Sequence, residues 1–391
     1  MSLTVFLVAG EPSGDRLGAA LMAGLKTLRP DVTFMGIGGS EMQAEGLTSM
    51  FPMSELSVMG IAEILPRLMP LLARVRETAA TIVAKSPNVL ITIDSPDFCL
   101  RVARKVKAVS DIPTVHYVAP TVWAWRPKRA QKMARSIDHV LALFPFEPPY
   151  MTDAGVSCDF VGHPVTTEPV ADAAERAEFR AQYAIAQTDP VVLVLPGSRG
   201  GEISRLMPVF GPSLQRVREQ VPGAQFVIPA AEPVAQAVME WAATLPFVVH
   251  ILDPRGMERD QAAAQKRAAF GAADVALAAS GTVSLELAAS GTPMVIAYDM
   301  NWLTRRLIAA MLRVDTVTLV NLVSDTRVVP EFLAEDCVPE KIAPAIVALL
   351  TDPAAQAAQH QAAELTMKLL GRDAEPPGLR AARSVLAKIN A

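Results

Sequence analysis

The sequence predicts an α/β protein with two Rossmann-like domains, each built around a parallel sheet. Three observations support this fold class. At 391 residues, the chain exceeds the size at which a single hydrophobic core usually keeps growing. Hydrophobic residues make up 51% and charged residues 19%, a balance that suits parallel sheets buried on both faces. Short apolar runs alternate with longer helical stretches, and this alternation restarts after the polar segment 166–189.

The apolar runs of strand length define the two predicted sheets. In the first half they are Leu3–Ala9, Thr33–Ile37, Val89–Ile93, Pro113–Val118, Val140–Phe144 and Phe160–Gly162. In the second half they are Val191–Leu195, Gln225–Ile228, Val248–Leu252, Val275–Ala278 and Pro293–Ala297. The Ala/Gln-rich stretch 352–391 has a helical pattern that is interrupted at Gly371 and at 375–378. We therefore predict a first domain at 1–168, a second at 169–358, and terminal helices at 359–391 that pack back on the first domain.

Composition excludes several classes of protein. The net charge of −4 gives no global attraction to nucleic acid, so an anionic ligand must be held by local features. Three cysteines fit neither a disulfide framework nor a Cys-x-x-Cys metal site, which favours a reducing cytosol. The longest run without an ionised residue, 112–125, is shorter than the ~18 residues that suggest a membrane-spanning helix. Membrane contact, if the protein makes any, is expected to be peripheral.

Polar residues follow two strands of the first predicted sheet, at the edge where ligands of parallel sheets bind. The turn Gly10-Glu11-Pro12-Ser13-Gly14, with Asp15, follows the first strand and opens a helix. Asp94 and Asp97 follow the run 89–93, and Asp94, nearest the sheet, is our first choice for a general base. The alternatives are a tight turn that needs glycine for geometry alone, and helix-capping roles for the two aspartates. We predict that five residues form one wall of a binding site beside Asp94, where a sugar or the molecule that accepts it would lie; they are Glu11, Ser13, Gly14, Asp15 and Asp97. We call this the sugar or acceptor wall.

Two loops of the second domain are candidates for binding a nucleotide. Gly197, Ser198 and Arg199 follow the run 191–195, with Glu202 in the next helical stretch, and combine a helix N-terminus with an arginine suited to a diphosphate. Ser280, Gly281 and Thr282 open another helix, in which Glu286 is placed to accept the hydroxyls of a ribose. The alternatives are a surface arginine beside a turn and, for Glu286, a favourable interaction with the helix dipole.

Other classes of enzyme lose support because their motifs are absent. The sequence contains neither a GxGxxG dinucleotide fingerprint at the first turn nor a GxxxxGK[ST] phosphate loop. The aspartates lack Asp-x-Asp spacing, and the five histidines form no ligand pair. We therefore predict no required metal and no cofactor.

Two basic stretches suggest an amphiphilic partner. Lys128, Lys132 and Arg135 lie at helical spacing after the Trp-rich segment 123–127, and could hold a phosphorylated lipid headgroup. A predicted helix at 302–314 gathers arginines opposite apolar residues, as interfacial helices do. The alternative for each is an ordinary amphipathic core helix with a solvated basic face. The apolar segment 56–69 is interpreted as part of the hydrophobic core. The alternative is a methionine-rich surface that binds acyl chains.

The chain resembles the lipid-A-disaccharide synthase family, glycosyltransferase family 19, over nearly its whole length. Ordered motifs carry this resemblance: VAGEPSGDRLGA at 8–19, GIGG and MQAEG within 36–46, ELSVMGIAEILP at 55–66, IDSPDF at 93–98, HYVAPTVWAWRPKR at 116–129, LFPFEPPY at 143–150, FVGHP at 160–164, LPGSRGGEI at 195–203 and ASGTVSLELA at 279–288. Two departures are Cys99, where asparagine is frequent, and Val320, where proline is common.

The resemblance implies a GT-B fold, with two domains facing across a cleft, and an inverting transfer. In that family, 2,3-diacylglucosamine moves from UDP to 2,3-diacylglucosamine 1-phosphate, which gives the β-1,6-linked lipid A disaccharide of lipopolysaccharide and releases UDP. The resemblance assigns the general base to Asp94 and a role in activity to Arg199. It places Ser280–Thr282 and Glu286 against the nucleotide and adds Asn321 to the site. It also implies peripheral contact with the cytoplasmic face of the inner membrane and leaves a homodimer open. The net charge of −4 already argues against a nucleic-acid partner.

Two other functions remain as alternatives at this point. One is another UDP-N-acetylglucosamine enzyme of the same architecture, such as a muramyl-pathway transferase or a 2-epimerase. The other is a non-catalytic sensor of lipid or nucleotide. The presence of both Asp94 and Arg199 argues against the sensor.

Overall fold

A computed structural model gives the structure of the chain. It describes residues 3–56, 61–124, 128–301, 305–306, 311 and 313–390, with the side chains of 61–68 left out. Most of the basic helix predicted at 302–314, the tryptophan segment at 125–127, and part of the apolar segment 56–69 therefore lie outside the described residues.

The chain divides into two compact units. The first contains residues 1–166 and 370–391, and the second contains residues 167–369. In chain order, the elements of the first unit are β1 (Thr4–Ala9), α1 (Pro12–Leu28), β2 (Thr33–Ile37), α2 (Ser40–Ala44), α3 (Ile61–Lys85), β3 (Val89–Ile93), α4 (Pro96–Lys107), β4 (Thr114–Tyr117), α5 (Lys128–Met133), β5 (His139–Ala142), α6 (Pro148–Thr152) and β6 (Ser157–Phe160).

The second unit repeats the alternation of strand and helix. Its elements are α7 (Ala173–Gln182), β7 (Val191–Leu195), α8 (Gly200–Gln220), β8 (Gln225–Pro229), α9 (Ala235–Ala242), β9 (Val249–Leu252), α10 (Arg259–Ala272), β10 (Val275–Ala278), α11 (Val283–Ser290), β11 (Met294–Tyr298), α12 (Leu319–Ser324), β12 (Glu331–Leu333), α13 (Pro339–Thr351) and α14 (Pro353–Leu369). The last helix, α15 (Pro377–Ile389), belongs to the first unit.

Each unit has one parallel sheet, with six strands among the described residues. The order is β2-β1-β3-β4-β5-β6 in the first sheet and β12-β11-β10-β7-β8-β9 in the second. The central strands are mostly apolar and are buried, because helices cover both faces of a parallel sheet; β3 and β7 are buried at every residue, including Thr92 of β3. The prediction of two Rossmann-like parallel sheets is confirmed. The sequence pattern did not reveal β12, whose three residues are only partly buried.

The strand register decides which loops come together. In the first sheet, Ile93 pairs with Ala9 on one side and with Tyr117 on the other. In the second sheet, Ala278 pairs with Leu195. The residues that follow β1, β3 and β4 are therefore neighbours at one edge, as are those that follow β7 and β10 in the other unit.

The predicted terminal segment 359–391 is divided between the two units. Helix α14 packs on α11, α12 and α13 of the second unit, whereas α15 packs on α1 of the first. A close backbone approach joins α15 to α1: a Cβ on Gly24 would lie 2.5 Å from the Gly378 carbonyl oxygen, and a Cβ on Gly378 would lie 2.4 Å from the Ala20 carbonyl oxygen. The boundary therefore lies after Leu369, because Gln359 and the rest of α14 are bound to the second sheet.

Gln359 shows why α14 stays with the second unit. Its side chain is 3% exposed, and its amide oxygen accepts the Met294 N–H at 2.8 Å while its amide nitrogen donates to the Met294 carbonyl at 3.0 Å. A buried amide that satisfies the backbone of β11 fixes the helix in place.

Among the described residues, no helix is both long enough and apolar enough to cross a membrane.

Substitution of Gly24 by Ala is expected to destabilise the first unit. The new methyl group would meet backbone atoms of 378–379, which cannot move aside as a flexible side chain could. We expect the free energy of unfolding to fall by roughly 1–3 kcal/mol, which appears as a fall of several degrees in the midpoint of thermal unfolding. Gly223→Ala is the control, because nothing lies within 3.8 Å of its new Cβ. Equal midpoints for the two variants would contradict the packing described here.

Candidate active site

A cavity of about 500 Å³ lies at the carboxyl edge of the second sheet. Its lining comes from the loops that follow β7, β8, β9 and β10 and from one face of α10. Four of the predicted residues, Gly197, Ser198, Arg199 and Glu202, line it from the loop and helix after β7. Four more, Ser280, Gly281, Thr282 and Glu286, line it from the loop and helix after β10. The structure thus brings both predicted nucleotide loops into one concave site.

The loop after β7 is shaped by Glu202. One carboxylate oxygen of Glu202 accepts the Ser198 N–H at 3.1 Å, and the other accepts an Arg199 guanidinium N–H at 3.2 Å. Gly197 has φ +110°, and a Cβ there would lie 2.5 Å from the Glu202 carboxylate. Glu202 therefore supports the loop, because its oxygens hold the turn and the arginine; direct binding of the nucleotide by Glu202 stays a prediction.

Arg199 is the cation that this loop presents. Its side chain is 68% exposed, whereas that of Glu202 is 16% exposed. Arg199 is also the residue before the first turn of α8, where helical N–H groups lack partners within the helix. The loop therefore offers a guanidinium and a helix N-terminus to an anionic group.

The loop after β10 is open and ends in the start of α11. Gly281 has φ +152°, and no atom lies within 4 Å of where its Cβ would be. The Ser284 hydroxyl donates to the Gly281 carbonyl at 2.9 Å, and the Leu285 N–H donates to the Thr282 carbonyl at 2.9 Å. These bonds fix the turn while residues Gly281 and Thr282 stay exposed, so the loop can accept a ligand without rearrangement.

Lys266 of α10 is a cavity residue that the sequence interpretation did not include. Its ammonium lies 2.5 Å from a Glu286 carboxylate oxygen and 5.0 Å from the centre of the Phe270 ring. No motif marks this lysine, because it pairs with Glu286 across twenty residues of sequence. Glu286 is thus neutralised in the cavity, where an unpaired carboxylate would repel a phosphate.

Asp94 lies at the carboxyl edge of the first sheet in a strained backbone conformation. Its φ is +50°, and the next residue, Ser95, has φ +42°. Non-glycine residues rarely adopt this region, and such strain concentrates at functional sites. The Asp94 N–H donates to the Tyr117 carbonyl at 3.0 Å, whereas its half-buried carboxylate makes no hydrogen bond to a described residue. The carboxylate is therefore available to a substrate.

Gly10 allows the turn after β1 to approach Ser95. A Cβ at position 10 would lie 2.5 Å from the Ser95 hydroxyl oxygen and 2.9 Å from its Cβ. The predicted wall residues Glu11, Ser13 and Gly14 follow at this edge, with α1 beginning at Pro12. The turn after β1 and the turn after β3 are therefore packed directly against each other, which places these wall residues next to Asp94.

Asp15 has a structural role that its position in the motif does not reveal. Its side chain is 3% exposed, and its two oxygens accept the N–H groups of Gly39, Glu41 and Met42 at 2.7–3.1 Å. These donors belong to the start of α2, which the side chain of Asp15 caps from the first turn of α1. The buried carboxylate of Asp15 thus has a structural role, and its part in the sugar or acceptor wall stays a prediction.

Asn321 is likewise buried away from the cavity. Its side-chain amide donates to the Val329 carbonyl at 2.9 Å and to Glu331 at 3.1 Å, and its oxygen accepts the Val329 N–H at 3.1 Å. The residue is 1% exposed. In this structure Asn321 holds the connection between α12 and β12 rather than lining the nucleotide cavity, because both ends of its amide have protein partners.

Asp97 and the basic residues of α5 lie at the surface. Asp97 is exposed in the first turn of α4, where a carboxylate interacts favourably with the helix dipole. Lys128, Lys132 and Arg135 are exposed on and just after α5.

Within the described part of the chain, no three carboxylate, histidine or cysteine side chains form a group that could hold a metal ion.

Comparison with known proteins decides the family. The model of the family described as lipid-A-disaccharide synthetase matches residues 5–378. A lipid-A-disaccharide synthase from Ruegeria pomeroyi is 59% identical over 387 residues, with 99% of this chain and 96% of the relative covered. One from Rhodospirillum centenum is 44% identical over 390 residues, with 98% and 94% covered. The chain belongs to the lipid-A-disaccharide synthase family.

Solved structures of more distant proteins show the same fold. A UDP-GlcNAc 2-epimerase from Neisseria meningitidis aligns with a TM-score of 0.63 and 12% identity, covering 99% of this chain and all of that one. MurG from Acinetobacter baumannii aligns with a TM-score of 0.55 and 16% identity, covering all of this chain and 99% of that one. The predicted GT-B fold is confirmed, as is the family resemblance, and the chain is a glycosyltransferase.

Substitution of Gly10 by Ala is expected to displace Ser95 and, with it, the neighbouring Asp94. Because misplacement of a reacting group by about 1 Å can lower a rate 10²-fold, we expect glycosyl transfer by Gly10→Ala to fall by roughly one to two orders of magnitude. The rate should be measured on protein whose thermal unfolding shows that it is folded.

The double variant Gly10→Ala/Ser95→Gly tests the cause. Glycine at position 95 removes both atoms that the new methyl group would meet, and it adopts φ +42° without strain. We expect the double variant to regain most of the lost rate and Ser95→Gly alone to stay near wild type. A double variant as slow as Gly10→Ala would show that the Ser95 contact is not the reason.

Proposed function

We propose that this enzyme transfers 2,3-diacylglucosamine from its UDP carrier to 2,3-diacylglucosamine 1-phosphate. The products are the β-1,6-linked lipid A disaccharide 1-phosphate and UDP, with inversion at the anomeric carbon. The observation that carries the proposal is the agreement between family and geometry: relatives with the synthase name match almost the whole chain, and two motif loops of that family line one cavity.

The cavity of the second unit is the proposed site for the UDP part of the donor. Arg199 and the first amides of α8 are suited to the diphosphate, whose negative charge grows as it leaves. The open loop 280–282 and Glu286, which line the same cavity, are the proposed partners of the nucleoside, because a carboxylate can accept both hydroxyls of a ribose. Glu202 supports Arg199 in this arrangement.

Asp94 is the proposed general base. It would accept the proton of the acceptor's 6-hydroxyl as that oxygen attacks the anomeric carbon, while the bond to the diphosphate breaks. Its unpaired carboxylate and strained backbone support the assignment. Glu11, Ser13 and Gly14 form the proposed sugar or acceptor wall, and Asp97 is retained as a more distant part of it. The mechanism requires no metal and no cofactor.

The lipid chains of both substrates favour a protein that works at a membrane surface. We propose peripheral contact with the cytoplasmic face of the inner membrane, supported by the exposed cations Lys128, Lys132 and Arg135 in the first unit. Such cations attract anionic lipid headgroups. The muramyl-pathway and epimerase alternatives are not favoured, because structures of those two classes are only 12–16% identical to this chain.

The identity of the products tests the function. Purified protein should be incubated with radiolabelled 2,3-diacylglucosamine 1-phosphate and the UDP-activated diacylglucosamine, with and without EDTA. We expect mass spectrometry to show a tetra-acylated disaccharide phosphate at the same rate in both cases. Product from non-acylated UDP-N-acetylglucosamine, or loss of activity with EDTA, would defeat the proposed substrate or the metal-free mechanism, respectively.

Asp94→Asn tests the general base. Loss of a base should lower kcat by roughly 10²- to 10⁴-fold, because asparagine cannot accept the proton. Binding of UDP, measured by calorimetry, should be unchanged, since the proposed UDP cavity is formed by the other unit. Asp111→Asn is the control, as it removes an exposed carboxylate of the same unit. Wild-type turnover by Asp94→Asn would end the assignment.

A further inference from the structure

Glu147 is a buried carboxylate of the first unit to which no role in the reaction is yet assigned. It lies in the turn between β5 and α6, and only 3% of it is exposed. Its side chain makes no ion pair with a described residue; its partners are neutral N–H groups. Burial raises the pKa of the Glu147 carboxyl to about 7, against the lowering effect of these hydrogen bonds. Burying a carboxylate without a cation is unfavourable, so the position calls for a reason.

The hydrogen bonds of Glu147 connect two loops. One oxygen accepts the N–H groups of Leu143 and Phe144 at 3.1 Å and 3.0 Å, and so closes the turn after β5. The other oxygen accepts the indole N–H of Trp123 at 3.4 Å, from the loop after β4. A residue needed only to close its own turn would not have to reach the second loop.

Aromatic packing reinforces the same connection. The ring of Trp123 meets the ring of Phe146 edge to face, with centroids 5.2 Å apart, and Phe146 stacks on Phe144 at 5.4 Å. Phe144 in turn contacts the His163 ring at 5.4 Å. Contacts of this kind fix the orientation of an indole as well as burying it, so the Trp123 ring has little freedom once Glu147 holds its N–H.

The loop that carries Trp123 begins beside Asp94. Tyr117, the last residue of β4, accepts the Asp94 N–H through its carbonyl, and the next residue, Val118, donates its N–H to the Leu141 carbonyl at 3.0 Å. Val118 has φ +84°, an unfavourable conformation for a β-branched residue. Such strain persists only where surrounding contacts hold it. The contacts at the far end of this loop are those of Trp123 with Glu147 and Phe146.

We propose that Glu147 is a positioning residue, which acts through Trp123 to hold the loop 118–124 where the acceptor sugar approaches Asp94. This inference rests on the proposed function, because it concerns how that reaction's acceptor is placed. Glu147 itself is buried and does not touch the substrate. Its effect is expected on the acceptor side only, since the UDP cavity belongs to the second unit.

Glu147→Gln separates the two sets of hydrogen bonds. The carboxamide oxygen can still accept the N–H groups of Leu143 and Phe144, but its NH₂ group then faces the Trp123 indole N–H, donor against donor. Trp123→Phe removes the same bond from the other side and keeps an aromatic ring. Asp153→Asn is the matched control, because Asp153 is an exposed carboxylate just after α6 with no side-chain hydrogen bond to a described residue.

The measurements are kcat, the KM of each substrate, the Kd of UDP and the thermal unfolding midpoint. We expect Glu147→Gln to lower kcat/KM for the acceptor by roughly 10- to 100-fold, with the donor KM and the Kd of UDP unchanged. Trp123→Phe should reduce it similarly. The double variant should be no slower than Glu147→Gln, because both changes remove one interaction. Asp153→Asn should match wild type.

Three results would overturn the inference. The first is a folded Glu147→Gln variant with kcat/KM within twofold of wild type. The second is a fall in kcat alone, in proportion to a lost folded fraction, with both KM values unchanged, which is what a purely structural role gives. The third is multiplication of the two single effects in the double variant. If Glu147→Gln does not fold, Trp123→Phe decides by the same criteria. Failure of the wild type to make the disaccharide would instead reject the proposed function.

Discussion

The constraint on which this structure depends is the burial of both faces of its two parallel sheets. Strands such as β3 and β7 are buried at every residue, so they have no side chain to offer to a ligand. Polar groups can leave the core only where the strands end, and parallel strands all end at the same edge. The register then decides the neighbours: the ends of β1, β3 and β4 meet in one unit, and those of β7 and β10 meet in the other.

At these edges, hydrogen bonding distinguishes the carboxylates that hold the structure from Asp94, the proposed general base. Asp15, Glu147 and Glu202 all accept backbone N–H groups, and each thereby holds a turn or a helix start in place. Asp94 has no such partner among the described residues, although its own backbone is strained. The close approach of Gly10 to Ser95 and the hydrogen bond from the Asp94 N–H to the Tyr117 carbonyl help to hold this strained turn.

The sequence predicted much of the fold because its signals are local. Apolar runs of four or five residues mark buried strands, and the predicted runs Val89–Ile93, Val191–Leu195 and Val275–Ala278 have the bounds of the strands in the structure. The segment 359–391 was placed wholly on the first domain, since helical periodicity does not say which sheet a helix packs on. Gln359 settles that question through β11, 65 residues away in sequence.

The candidate site was predicted by motif, and motif does not distinguish a residue that binds from one that supports. Glu202 and Asp15 stand in the same motifs as Arg199 and Glu11, yet their oxygens accept backbone N–H groups from residues up to 27 positions distant. Lys266 and Glu147 could not be assigned a role from the sequence, because no local pattern marks either residue as part of the site. Each becomes meaningful only through a partner more than nineteen residues away, Glu286 for the lysine and Trp123 for the glutamate.

The charges of the second unit's cavity favour the proposed binding of a nucleotide without large reorganisation. Each cation is paired with a carboxylate: Arg199 with Glu202 and Lys266 with Glu286. Both pairs are partly exposed, and pairs of that kind contribute only about 0–1 kcal/mol. A diphosphate therefore competes with weak partners when it draws on Arg199, and a ribose does the same at Glu286. The pairing keeps these side chains ordered, and they can exchange their present partners for the ligand at little cost. Because they are already ordered, binding loses less side-chain entropy.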